Sequence, residues 1–162
     1  MRAALVALAL LAGVAAAALL ALPVPVLALG DGTSEFLGRL DEGEQLRFSY
    51  RQSIYQVPVF EEFRREGDRI SLKRVRSSDV RSIEYLRWPS EIRADPDGMW
   101  STEAPPSDAR ELVIRIAPAG EQRFAAAGWA CDLLSRFGEA VVGVRAEQRP
   151  VAQLVLANLF RP

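Results

Sequence analysis

The chain has 162 residues, with 20 basic and 21 acidic residues, a net charge of −1, one cysteine and no histidine. The lack of histidine excludes Ser-His-Asp and Cys-His nucleophile systems, zinc sites of histidine and cysteine, and imidazole pH switching. A lone cysteine excludes an internal disulfide, and the absence of a basic block leaves nucleic acid without an electrostatic footprint.

Charge is unevenly spread. Arg2 is the only charged residue among the first 30, and Ala3 to Leu22 is apolar throughout apart from Gly13. As a helix this run would be about 30 Å long, enough to cross the hydrocarbon core of a bilayer. Residues 1–30 therefore read in two ways. They are an uncleaved transmembrane anchor, or a secretory signal peptide with Arg2 as its n-region, Pro23 and Pro25 breaking the helix, and Ala28 at a cleavage position. Either way the protein is exported, anchored facing the periplasmic or extracellular side or secreted to the periplasm. Arg2 before the run, with Asp31 and Glu35 after it, places the N-terminus inside. Membrane contact through this segment is the expected partnership if it is not cleaved.

Residues 31–44, "DGTSEFLGRLDEGE", are polar with three glycines and read as a linker. A single β-rich domain is then expected over 45–162. Leu46, Phe48, Tyr50 and Ile54 share one parity, and Arg47, Ser49, Arg51 and Ser53 the other, the period of a half-buried strand. Gln52 is the polar exception on the apolar side. Val57, Val59 and Phe63 continue the alternation with Glu61 as their exception. Pro58 lacks a donor, so this second strand should be an edge strand or carry a bulge. "REGDR" (65–69) turns the chain into a strand with Ile70 and Leu72.

Residues 77–110 hold four prolines and show no sustained period. Val80, Ile83, Tyr85, Leu86 and Trp88 are expected to anchor them, with a helical turn before Pro89 and a short strand starting at Met99–Trp100. "ELVIRIAP" (111–118) is a strand with Leu112, Ile114 and Ile116 on one face. "ACDLLSRFG" fits a short helix with Gly138 as its C-cap. "AVVGVRAE" is a further strand, and the tail "VAQLVLANLF" a final strand or docking helix. Cys131 reads as a small buried hydrophobe. Six or seven strands with one short helix predict a mainly β fold: a compact antiparallel sandwich or partly open barrel, preceded by the hydrophobic N-terminal helix.

Carboxylates and arginines are the remaining polar chemistry. Glu61 and Glu62 are adjacent, so on a strand they point to opposite faces; one of them can meet Arg47, Arg51 or Arg74 as a cross-strand ion pair. Asp95 and Asp97 in "DPDG" lack the third acid and the closing glutamate of a calcium loop, so the stretch reads as a turn. No metal, cofactor or catalytic set is expected. The residues proposed to contact a ligand are Arg47, Arg51, Gln52, Ser53, Glu61 and Glu62, beside an aromatic set of Tyr50, Tyr55, Tyr85, Trp88 and Trp100.

"YRQSIYQVPVFEEFR" followed by "GDRISLKRVR" resembles a family of small exported bacterial domains of unknown function. Its members are commonly encoded beside, or linked to, tripartite tricarboxylate-like and TRAP transporters of the TAXI type. Ser53, Pro58, Val59, Glu61, Glu62 and Phe63 match the family's pattern, while Gln52 stands where that pattern has a histidine. "ELVIRIAPAGEQRFAAAGWACDLL" is similar to the family's closing strands and short helix, so the likeness covers roughly residues 40–147. The family's glycine-rich stretch after the third strand is replaced here by "SSDVRSIEYLRWPSE". Gln52 can hydrogen-bond but cannot shuttle a proton near neutral pH.

The resemblance implies a non-catalytic envelope domain serving as an accessory or interaction module of a TRAP-type solute transport system. Two alternatives stay open: a domain binding small anionic solutes through Arg47, Arg51 and the aromatic residues, and a hydrolase that works with carboxylates alone.

Overall fold

An apolar stretch makes an interior strand wherever both of its faces find a cover, and residues 23–30 do so. The computed structural model describes residues 2–159, apart from the side chains of residues 2–5, 7, 8 and 158. The Arg2 side chain, on which the orientation rests, and Phe160 of the tail lie outside them.

In chain order, helix α1 (Arg2–Ala21) is followed after Leu22 by β1 (Pro23–Gly30), β2 (Glu35–Arg39), β3 (Gln45–Arg51), β4 (Pro58–Glu66) and β5 (Arg69–Ser77). Then come α2 (Val80–Glu84), β6 (Ile92–Ala94), β7 (Trp100–Glu103) and β8 (Glu111–Arg115). A 3-10 turn (Pro118–Gly120) leads to β9 (Arg123–Ala126), β10 (Trp129–Asp132), α3 (Leu133–Phe137), β11 (Val141–Pro150) and α4 (Val151–Leu159).

The described strands form two antiparallel sheets, one of order β2-β1-β11-β8 and one of order β10-β9-β3-β4-β5-β7-β6. The fold is thus mainly β, as the alternating patterns predict. Leu27, Leu29, Val142, Val144 and Ala146 from the first sheet pack with Leu46, Phe48, Phe63 and Phe124 from the second in one core, the packing of a sandwich. The second sheet is wider than the first, and its overhang is covered by α2. There Ile83 packs on Val59 and Val75, with Leu86, Trp88 and Trp100 around them. Tyr50 and Leu72 touch both clusters.

Several expectations are corrected. Residues 23–30 are an inner strand instead of the end of a leader, and β2 occupies the middle of the expected linker. β1 hides from pattern reading because both faces are covered: Leu27 and Leu29 face the sandwich core, while Val26 and Ala28 lie under Leu154 and Ala157 of α4. Its prolines are tolerated because pairing with β2 begins only at Val26, leaving Pro23 and Pro25 with one strand neighbour, β11. Asp31 closes the β1–β2 turn, its carboxylate accepting from the Thr33 and Ser34 amides at 2.8 and 2.7 Å.

β4 is an interior strand with Pro58 as its first residue; its register with β5 shifts between Glu62 and Phe63, where Lys73 of β5 is the extra residue. Ile54 lies past the end of β3 and is 55% exposed, so the core parity stops at Tyr50. Three helices follow α1 among the described residues; α2 is the helical turn expected before Pro89, and α4 is the docking-helix alternative for the tail. Of these, α3 is the helix read from "ACDLLSRFG", started by Asp132, whose side chain accepts from the Ser135 amide, and ended by Gly138 at φ 66°. Among the described residues, which leave out the side chains of residues 2–5, 7 and 8 of α1, no helix is long and apolar enough to cross a membrane.

Candidate functional site

Direct opposition in an antiparallel ladder puts two side chains on the same face, so the register sorts the polar residues of the β3–β4–β5 strands. Leu46 faces Phe63, Phe48 faces Glu61 and Tyr50 faces Val59, all on the sandwich side. Arg47 faces Glu62 and Gln45 faces Arg64, on the outer side. Glu61 and Glu62 therefore point to opposite faces.

Glu61 sits between Phe48 on one neighbour and Val75 on the other, at the boundary between the sandwich core and the α2 cluster. Burial pushes its carboxyl above the ordinary glutamate range, partly opposed by a hydrogen bond from the Tyr50 hydroxyl. The same burial, with the charge of Glu61 adding to it, raises the Tyr50 phenol. Among the described residues no arginine is paired with Glu61.

Glu62 is 7% exposed and belongs to an ion-pair lattice on the outer face. Arg74, its cross-strand partner, reaches it at 2.8 Å, and Arg76 lies 3.7 Å away. Arg76 also binds Asp95 at 2.8 Å and Asp97 at 2.6 Å, and the Ser101 hydroxyl donates to Asp95 at 2.9 Å. Arg76 holds Asp97 below the usual carboxylate range. "DPDG" is thus a turn between β6 and β7 whose acids clamp an arginine; among the described residues no cluster of metal-ligating side chains occurs.

The other sequence-selected residues lie apart from both glutamates. Arg47 is exposed on the outer face, its guanidinium 5.7 Å from the Phe60 ring centre. Arg51 forms a two-pronged pair with Glu121, both contacts at 2.9 Å, and donates to the Gln56 carbonyl at 2.8 Å. Gln52 and Ser53 lie in the connection from β3 to β4. The Gln52 amide donates to the Val57 carbonyl at 2.9 Å, and the Ser53 carbonyl accepts from the Gln56 side chain at 2.6 Å. Gln52 Oε1 is buried without a hydrogen-bond partner. The six residues are therefore divided among the outer face, the inner boundary and a turn.

Two shallow clefts of about 360 and 240 Å3 lie on the outer face and share Gln45. Arg47 lines the first; Glu62, Arg64 and Arg74 line the second. Arg123, opposite Ser49 on β9, faces the same way. Arg64 and Arg123 escaped the sequence reading because exposed arginines at polar positions carry no periodic signal. Arg65 was missed for the opposite reason. It continues the inward parity of Val59, Glu61 and Phe63 on β4 and is 3% exposed, and there it donates to the carbonyls of Val26, Leu40, Gly67 and Glu147. Burial pulls its guanidinium below the usual arginine range.

Chemically, the outer face offers guanidinium groups that accept anions and cannot take up a proton. The two adjacent carboxylates cannot flank one scissile bond, because the sheet lies between them. No protein-family model, curated protein or solved structure matches the chain.

Proposed function

We propose that the chain is a non-catalytic envelope domain that keeps its N-terminal helix as a membrane anchor and works by contact, as an accessory module beside a TRAP-type solute transporter. The observation that carries the anchor is the junction of α1 with β1. Leu10, Leu11, Val14 and Leu19 of α1 are between 62% and 69% exposed, and one residue later the chain enters a strand whose Val26, Leu27 and Leu29 are fully buried. Cleavage after Ala28 would remove most of β1 from the middle of its sheet, which favours retention over processing at that position. The Ala3–Leu22 run then meets lipid with the leucines and valines that it shows to solvent. Separation of Glu61 from Glu62 by the sheet favours contact over carboxylate chemistry, and the likeness around Ser53–Phe63 supplies the transporter context.

The test is purification of the full-length chain from membranes. Expected are resistance to alkaline extraction, an intact mass that retains residues 3–22, and co-purification of transporter subunits. A chain free in the cytosol, or one beginning beyond residue 28, overturns the anchor. A membrane-bound chain with no transporter subunit overturns the accessory role alone.

A second reading, binding of a small anionic solute, is favoured by Arg47, Arg64 and Arg123. They occupy neighbouring strands of the outer face, and none of the three is in an ion pair among the described residues. Calorimetric titration with citrate tests it. Heat of binding lost in the Arg47→Ala/Arg64→Ala/Arg123→Ala variant supports it, and no heat from the unaltered chain at millimolar citrate sinks it.

A further inference from the structure

An apolar helix side needs a cover, and α4, whose polar residues are Gln153 and Asn158, has its apolar residues covered on one side only. Leu154 and Ala157 pack on Val26, Ala28 and Leu37 of the first sheet. Val155, Leu156 and Leu159 point away from that sheet and are 43%, 53% and 70% exposed. From Pro150 to Phe160 the sequence has no charged residue, and from Ala3 to Gly30 it has none either.

The fold brings these two uncharged stretches together. α4 touches α1, and at the junction the Val151 amide donates to the Leu22 carbonyl at 2.9 Å. Leu19, in the last turn of α1, and Leu22, just past it, are themselves more than half exposed. The apolar surface of α1 therefore continues onto the outward side of α4 at the point where α1 joins the domain. Contacts with β2 and β11 hold α4 against the first sheet, so it is presented as a fixed surface of the domain.

We propose that this outward side of α4 lies in the headgroup boundary of the same bilayer that α1 crosses. The occupant is lipid rather than a second protein, because the patch is continuous with the anchor, lacks charge, and sits where the domain must meet the membrane if α1 spans it. Interfacial helices bury one apolar side in the headgroup boundary in this way. Anchor and α4 then give the domain two points of attachment, which fixes its tilt and directs the outer face of the second sheet into the aqueous space. The inference rests on the anchor reading above.

The experiment uses the full chain in nanodiscs with Cys131→Ala as background. Spin labels are placed singly by Val14→Cys, Leu156→Cys, Leu159→Cys and, as an aqueous reference, Ser78→Cys. Collision with oxygen is compared with collision with a water-soluble nickel complex. Expected is oxygen-dominated collision at positions 14, 156 and 159, and nickel-dominated collision at 78. Positions 156 and 159 behaving like 78, with 14 still lipid-facing, overturns the α4 proposal and leaves the anchor standing. Protection of 156 and 159 from both agents also overturns it and shows a protein cover. A nickel-accessible position 14 overturns the anchor reading and the α4 proposal with it.

Discussion

The indole of Trp129 occupies the space into which a side chain on Gly38 would project. Its Nε1–H donates to the carbonyl of Arg39, the next residue, at 2.6 Å, and its ring lies 5.3 Å from that of Phe36. Gly38 belongs to β2, an edge of the first sheet, and Trp129 to β10, an edge of the second. One glycine thus lets the two sheets close along that side, and the ring shields both edges from pairing with other chains.

Gly38→Ala should therefore cost about 1 to 3 kcal/mol through overpacking, a drop of several degrees in melting temperature. In a Trp129→Ala background the same change should be nearly free, because the space is vacated. A double-mutant cycle by thermal unfolding measures this; equal penalties in both backgrounds would disprove the contact.

Glu61 links burial to pH. Its carboxyl titrates above the ordinary glutamate range in the folded chain, with burial as the main cause. Folding then takes up a proton in the interval between the unfolded value and the raised one. Stability declines across that interval as pH rises and is level above it. Glu61→Gln should remove the decline and raise the melting temperature at pH 7. Tyr50→Phe takes away the donor that favours the charged form, so it should widen the interval. Melting curves recorded from pH 4 to 8 check both, and a Glu61→Gln variant that is less stable at pH 7 and unchanged in slope would refute the assignment.

Phe48 is 5% exposed and stacks on Phe124 at 4.7 Å between ring centres. Phe48→Ala should cost about 3 to 5 kcal/mol. Denaturant unfolding reads this directly, and a midpoint equal to that of the unaltered chain would remove Phe48 from the core.

Much of the second sheet was legible because one of its faces meets water. The alternation of Leu46 to Tyr50 and the Asp132 and Gly138 boundaries of α3 follow from single-face burial and backbone capping, both written locally. β1 was illegible because helix α4 covers its far side, which erases the alternation and joins it to the leader in composition. Ile54 was assigned to the core because parity alone does not reveal that β3 stops at Arg51. In the candidate site, the opposition of Glu61 and Glu62 follows from strand geometry. The partner of each depends on which strands lie beside β4, and no local pattern encodes that. Arg65 reads as the start of a turn until β4 is seen to run on to Glu66, which places it at an inward position of that strand.

Arg65 supports the last prediction. Its guanidinium reaches the carbonyls of Val26 and Glu147, residues directly opposite each other on β1 and β11, and those of Leu40 and Gly67 in two turns. A residue of the second sheet thereby satisfies acceptors of the first, tying the sheets together with no carboxylate in contact with it among the described residues. Substitution leaves buried acceptors unpaired, each costing about 1 to 3 kcal/mol. Arg65→Met, which fills the space but donates nothing, should therefore lose at least about 3 kcal/mol. Arg65→Lys keeps the charge but loses the planar fork, so it should recover only part of the loss. Denaturant titration of the three chains gives the order Arg, Lys, Met. Equal midpoints for the Lys and Met variants would show that charge contributes nothing beyond packing, and equality of all three would remove Arg65 from the joint between the sheets.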